Sequence, residues 1–218
     1  MRLEGIHHIT AITGDAQGNV DYYVDTLGLR LVKKTVNQDD PTIYHLFYAD
    51  EHGSAGADIT FFEYPGARRG RAGAGHSEEF LRALGFQEGW VARGEQRSGL
   101  YVYDDAPAEP GVPGGGTIHH VAWGSKPEEH EAWRARAMEA GARPTPVIER
   151  FYFKSIYFRE PSGVLFEIAT LGPGFTADEP LESLGERLSL PPDFEPLRNE
   201  VEPKLTPLRN PREAWTRS

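Results

Sequence analysis

Two adjacent histidines, His7 and His8 in Ile6-His-His-Ile-Thr10, return 112 residues later as His119 and His120 in Ile118-His-His-Val-Ala122. Each pair opens a short, apolar, β-branched run, and each run leads into a helix-like stripe closed by a glycine. From the second histidine to that glycine the interval is 20 residues in the first copy (Gly28) and 21 in the second (Gly141). A repeat of this kind restricts the chain to architectures in which two similar units pack together, so it comes before any other reading.

In the first copy, residues 6–12 read as a strand closed by Gly14-Asp15. Asp15 is placed to cap a helix whose buried face carries Val20, Tyr23, Val24 and Leu27, at i, i+3, i+4 and i+7, with Gly28 at its end. Strand-like runs follow at 29–36, 42–49 and 59–64. The second copy offers a strand at 118–123, a capping box in Ser125-Lys-Pro-Glu128, a stripe of Trp133, Ala137 and Ala140, and strands near 146–149, 154–159 and 164–170. Both copies thus read β-α-β-β-β, and they occupy residues 1–66 and 117–171. The stretch 67–116 reads as a linker plus a partial unit. It has a helix at 77–86 and strands at 89–93 and 100–103, without a His-His strand, and the basic, Gly-rich segment 66–75 reads as a connector. Residues 172–218 form a C-terminal extension that is expected to wrap the surface around one short helix at 179–188.

The chemistry is narrowed by what is missing. With no cysteine, metal ligation falls to histidine and carboxylate. A formal charge of −10 disfavours nucleic acid and anionic membrane as partners, and with no apolar signal run or membrane-length stretch a cytoplasmic protein is expected. Glu167 stands in Val-Leu-Phe-Glu-Ile-Ala, a strand that reads as buried on both faces, where an unpartnered carboxylate is costly. His8, His120 and Glu167 together would make a two-histidine, one-carboxylate site with open positions. Strand alternation puts the two histidines of each pair on opposite faces but does not choose between them. The simpler fate for Glu167 is a salt bridge to Arg150 or Arg159. Glu63, ending the last strand of the first copy near the place Glu167 holds in the second, is a rival ligand. His45 and His130 read as structural or exposed, and His52 and His76 as loop residues.

These features resemble the vicinal oxygen chelate superfamily. Longer stretches, among them Ile-His-His-Ile-Thr-Ala-Ile-Thr-Gly-Asp-Ala-Gln, Leu-Gly-Leu-Arg-Leu-Val-Lys-Lys-Thr-Val-Asn, Ser-Ile-Tyr-Phe-Arg-Glu-Pro and Gly-Pro-Gly-Phe-Thr-Ala-Asp-Glu-Pro-Leu, are similar to its branch of ring-cleaving hydroquinone and extradiol dioxygenases. The resemblance implies an α+β fold in which paired βαβββ modules form a curved mixed sheet or half-barrel around a metal site. It implies Fe(II), with Mn(II) as the alternative, on His8, His120 and Glu167. It also implies supporting catalytic roles for His7, Thr10, His119, Arg150 and Tyr157, with His7 and His119 on the strand face away from the metal. The substrates implied are a small aromatic hydroquinone or catechol and O₂, in a pocket walled by some of Phe47, Phe61, Phe62, Phe151, Phe153 and Phe158. Relatives of this branch carry four modules, whereas this chain reads as the first, the fourth and a fragment of the third. The apolar face of that fragment is expected to be covered by the tail or by a second subunit, hence a homo-oligomer. A glyoxalase- or isomerase-like lyase, with Glu63 as fourth ligand, and a non-catalytic small-molecule-binding module are the other readings.

Overall fold

The β-branched and aromatic runs form eight strands that pair into one curled mixed sheet, seen in a computed structural model that describes residues 1–54, 56–71, 73, 78–95, 98–101 and 109–213. The first half contributes β1 (Ile6–Thr13), β2 (Arg30–Asn37), β3 (Asp40–Ala49) and β4 (Asp58–Glu63), with α1 (Ala16–Val20) between β1 and β2. A partial unit follows, with α2 (Glu78–Leu84) and the hairpin β5 (Val91–Arg93) and β6 (Ser98–Leu100). The second half contributes β7 (Ile118–Ser125), α3 (His130–Glu139), β8 (Ile148–Glu149), β9 (Lys154–Arg159) and β10 (Leu165–Thr170). Across the sheet the order is β2-β3-β4-β1-β7-β10-β9-β8. Each half is the other's mirror in that order, β1 is parallel to β4 and β7 to β10, and the halves meet along the antiparallel β1–β7 pair. The paired-module half-barrel that the resemblance implies is the fold observed.

Helices and tail cover the convex face, and the concave face holds the cavity. Ala16, Val20 and Val24 pack on Leu31, Tyr48 and Phe61 of the first half. On the second half, Trp133 and Ala137 of α3 meet Trp123, Ile156, Phe166 and Ile168. The partial unit joins this second cluster through Phe80, Leu81, Leu84 and Phe86. These apolar residues of the partial unit therefore pack against the chain's own second half. A third cluster closes one end of the half-barrel, where Phe175 and Leu184 of the tail pack on Val32, Phe47, Tyr152 and Phe153.

Local expectations failed where another interaction overrode them. Asp15 does cap α1, accepting from the Gly18 N–H at 2.9 Å. The helix then widens into a π-helical turn, Asp21–Thr26, which rotates later residues off the 3.6 period and leaves Leu27 half exposed. Ser125 is not a helix cap. It remains in β7 with its hydroxyl 2.9 Å from Nδ1 of His130, and a 3-10 turn, Pro127–Glu129, precedes α3. His130 is accordingly buried, the structural rather than the exposed of its two expected fates. The expected helix at 179–188 is a single 3-10 turn, Leu181–Ser183, and the tail's helix is α4 (Arg198–Val201). Gly185 has φ +76 and lies so close to β2 that a Cβ there would sit 2.0 Å from the Leu31 carbonyl oxygen. Only glycine allows that approach. It lets the tail run beside β2, where the Ser189 N–H donates to the Lys34 carbonyl.

Candidate metal centre

Register explains why three distant side chains converge. His8 lies opposite Ala122, which lies opposite Glu167, which lies opposite Tyr157, so one row crosses β1, β7, β10 and β9. The next row runs Phe47, Thr60, Thr10, His120. Ala122, fully buried and with no side chain beyond Cβ, leaves room between His8 and Glu167. His8 Nε2 and His120 Nε2 are 3.2 Å apart, and Glu167 Oε2 is 3.3 Å from the first and 2.9 Å from the second. All three residues are buried, and theirs is the one cluster of its kind among the described residues.

That triangle suits a cation. Glu167 Oε2 is buried and near both ring nitrogens, yet receives no well-directed hydrogen bond, so three lone pairs face one point. For donors roughly 2.0–2.2 Å from an ion, mutual right angles give edges of about 3.0 Å and tetrahedral angles about 3.4 Å. The observed edges of 2.9, 3.2 and 3.3 Å span the interval from one value to the other, and either arrangement of three donors leaves further positions open. Burial alone would raise the Glu167 carboxyl, but the two imidazoles outweigh it and hold the group well below the carboxylate range. Burial lowers His120 and keeps its ring neutral, the form that ligates.

The first histidine of each pair is not where alternation put it. The β1–β7 register slips at His7 and again, on the other strand, between the partners of Thr10 and Ala11, where His119 is the extra residue. These two bulges turn His7 and His119 toward their neighbours. His7 Nδ1 lies 2.9 Å from His8 Nδ1, and His119 Nδ1 lies 2.8 Å from His120 Nδ1. His7 Nε2 also reaches the Thr170 carbonyl at 3.1 Å. A carbonyl only accepts, so in a neutral ring the His7 proton is on Nε2, its Nδ1 accepts from His8 Nδ1–H, and His8 Nε2 is left bare for an ion.

Thr10 is 2.9 Å from His120 Nε2 and 2.7 Å from the Thr60 hydroxyl, which is 2.9 Å from His45 Nε2. Tyr157 stands with its ring centroid 5.9 Å from that of His120. Arg150 pairs with Asp39 and lies 5.4 Å over the Tyr157 ring, while Arg159 donates to the Gly163 carbonyl, so neither is the partner of Glu167. Glu63 is no rival ligand. Its carboxylate accepts from the Ala16 N–H and the Thr206 hydroxyl, and the register makes Thr60, not Glu63, the first half's counterpart of Glu167. His76 lies outside the described residues.

A cavity of about 290 Å³ opens onto the three donors, lined among others by Phe47, Phe62, Phe153, Tyr157, His119 and Arg150. Phe61 and Phe158 belong instead to the convex clusters, and Phe151 packs beside the third cluster without lining the cavity. Sequence reading missed two residues here. His45 lines the cavity, and Ser155 donates to Glu167 Oε1 at 2.5 Å. By register they occupy equivalent places in the two halves, one bonded to Thr60 and the other to Glu167. Only the strand pairing reveals this. Ser155→Ala should lower metal affinity by about 10- to 100-fold with little loss of fold, a change read by anaerobic metal titration.

Burial holds His130 and, more strongly, His45 below their ordinary value of 6.5, and His119 at about 4. In that interval the unfolded chain takes up protons that the folded chain refuses. The metal-free protein should therefore lose stability as pH falls from about 6.5 toward 4. The urea midpoint should drop across this range and drop less in His130→Gln. A flat midpoint would contradict the burial of these rings.

The chain is thus a duplicated half-barrel carrying, among the described residues, one buried two-histidine, one-carboxylate cluster able to hold a metal ion. A family model described as the Glyoxalase/Bleomycin resistance protein/Dioxygenase superfamily matches residues 5–168. The protein named "Putative ring-cleaving dioxygenase MhqA" of Bacillus subtilis (strain 168) is 31% identical over 316 residues, covering 96% of this chain and 100% of the relative. "Chlorohydroquinone/hydroquinone 1,2-dioxygenase" of Sphingobium indicum is 27% identical over 307 residues, covering 92% of this chain and 95% of the relative. With 218 residues here, such alignments carry long gaps in this chain. A crystal structure of a "putative dioxygenase" from Bacillus subtilis subsp. subtilis str. 168 superposes with a TM-score of 0.79 at 31% identity, covering 95% of this chain and 98% of the other. The chain belongs to the Glyoxalase/Bleomycin resistance protein/Dioxygenase superfamily.

Proposed function

We propose that this protein is a ring-cleaving dioxygenase that opens a hydroquinone- or catechol-type aromatic ring with O₂, using Fe(II), or alternatively Mn(II), held by His8, His120 and Glu167. The observation that carries the reading is the triangle of buried donors facing an aromatic-walled cavity. Bound there, such an ion supplies Lewis acidity toward the ring oxygens and a route for electrons to O₂. The chain's residues do the rest. Phe47, Phe62 and Phe153 take the faces and edges of the ring and exclude water. His7 and His119 fix the ring orientation and tautomer of the two ligands through their paired Nδ1 atoms. Burial, with Glu167 close by, raises the Tyr157 hydroxyl, so it stays protonated and donates to oxygen carrying developing negative charge. His119 accepts from His120 Nδ1–H at its own Nδ1, so, kept neutral by burial, it carries its proton on Nε2 and is able to donate it to an oxygen of the bound ring. Thr10 and Thr60 link the site to His45, whose imidazole, kept neutral by burial, is able to accept a proton at the cavity wall. Arg150 supplies fixed positive charge.

Ring opening places both atoms of O₂ in one product, so a single oxygen molecule is consumed per ring and no external reductant is needed. The test is anaerobic Fe(II) loading, then O₂ uptake and product mass with a panel of catechols and hydroquinones. One-to-one uptake with a ring-opened product supports the reading. Uptake that survives His120→Ala defeats it.

A further inference from the structure

The mouth of the cavity is bridged by an ion pair between the two ends of the sheet. Arg150, just after β8, presents Nη1 and Nη2 to the Asp39 carboxylate at 3.0 and 2.9 Å, and Asp39 sits at the turn between β2 and β3. Both residues line the cavity. Their situations differ. The Asp39 side chain is 72% exposed, whereas that of Arg150 is 14% exposed.

The arginine cannot easily withdraw. The Arg150 N–H donates to the Phe153 carbonyl at 2.9 Å, and the Arg150 carbonyl accepts from the Tyr152 N–H and from Gln38 Nε2, each at 2.8 Å. The Tyr152 bond closes a three-residue turn with Phe151 at φ +65, a conformation a bulky side chain adopts only where its surroundings impose it. The guanidinium is thus held at the cavity by its own backbone and by Tyr157, and the carboxylate that pairs with it faces solvent. A guanidinium always carries its charge and binds any carboxylate in the same two-pronged manner.

We infer that Asp39 is a specificity-determining residue: by occupying Arg150 it reserves the cavity for uncharged hydroxylated rings and turns away rings bearing a carboxylate. This rests on the aromatic-ring reading above. A carboxylated ring entering the wild-type cavity must displace Asp39 and bring a second negative charge beside it, while an uncharged ring leaves the pair intact. Without the aspartate, the same guanidinium becomes a carboxylate site.

Two small probes test this by NMR titration of the metal-free full chain, benzoate for the charged ring and phenol for the neutral one. The readout is the ratio of their affinities in wild type, Asp39→Asn and the double variant Asp39→Asn/Arg150→Met. Wild type should favour phenol. Asp39→Asn should shift the ratio toward benzoate by about tenfold or more, the worth of one charge-assisted pair, with benzoate perturbing the Arg150 guanidinium signals. The double variant should lose that gain. A ratio that moves less than about twofold in Asp39→Asn, or a gain that persists without Arg150, overturns the inference. A wild-type enzyme that takes up no O₂ with any dihydroxylated ring would sink the proposed reaction instead, and the titration would still report on the pair.

Discussion

Glu167→Gln should abolish metal-dependent stabilisation while leaving the metal-free protein at least as stable as the parent. The amide keeps an oxygen to accept from Ser155, and its NH₂ takes the place of Oε2, an acceptor that is buried without a well-directed donor. Donation from that NH₂ to a bare imidazole nitrogen replaces lone pairs that face one another. What is lost is the negative charge that balances a divalent ion in a dry site. Wild type at metal concentrations about a hundredfold above Kd should gain about 2.7 kcal/mol. The variant should gain nothing measurable, and ring cleavage should fall to background. Urea unfolding with and without Fe(II) under anaerobic conditions provides the check. A retained metal-induced gain would mean that the three donors do not act together.

Lys33→Met should cost about 3–5 kcal/mol, the usual result of orphaning one member of a buried pair. Lys33 lies in β2 and is fully buried. Its ammonium reaches Glu179, the Asp178 carboxylate at 2.8 Å and the Phe175 carbonyl at 3.2 Å, and stands 4.6 Å over the Tyr152 ring. Methionine fills the space of the stem but strands Glu179, itself 2% exposed. The double variant Lys33→Met/Glu179→Met should recover part of the loss, because the buried Glu179 charge is then gone and Asp178, half-buried, still accepts from the Tyr152 and Ser189 hydroxyls. The tail should become the first site of proteolysis in the single variant, since this cluster joins it to β2. Unchanged stability would show that apolar contacts of Phe175 and Leu184 alone hold the tail.

The three candidate donors are legible because residue type and pattern disagree: a glutamate inside Leu-Phe-Glu-Ile-Ala, and a histidine pair that packing gives no reason to duplicate. The fold followed from the same repeat, since each copy supplies strands of similar length in similar order. The unread features depend on long-range pairing. Nothing local marks His7 and His119 as bulge residues, because a bulge is a property of two strands in register, and the alternation rule sent both to the wrong face. His45 and Ser155 carry no motif, and only the β3–β4 and β9–β10 registers show them to be counterparts. In the tail, helical propensity lost to two specific demands, the buried Glu179–Lys33 contact and the close approach at Gly185.

The β1–β7 pair has a kinetic consequence. One imidazole reaches the centre from near the start of the chain and the other two donors from beyond residue 119, so an ion there is clasped by both halves at once. No partly opened form that keeps only one half retains the full set of donors. Escape of the ion then tracks the parting of these two central strands, and its off-rate becomes a clock for how often the halves come apart.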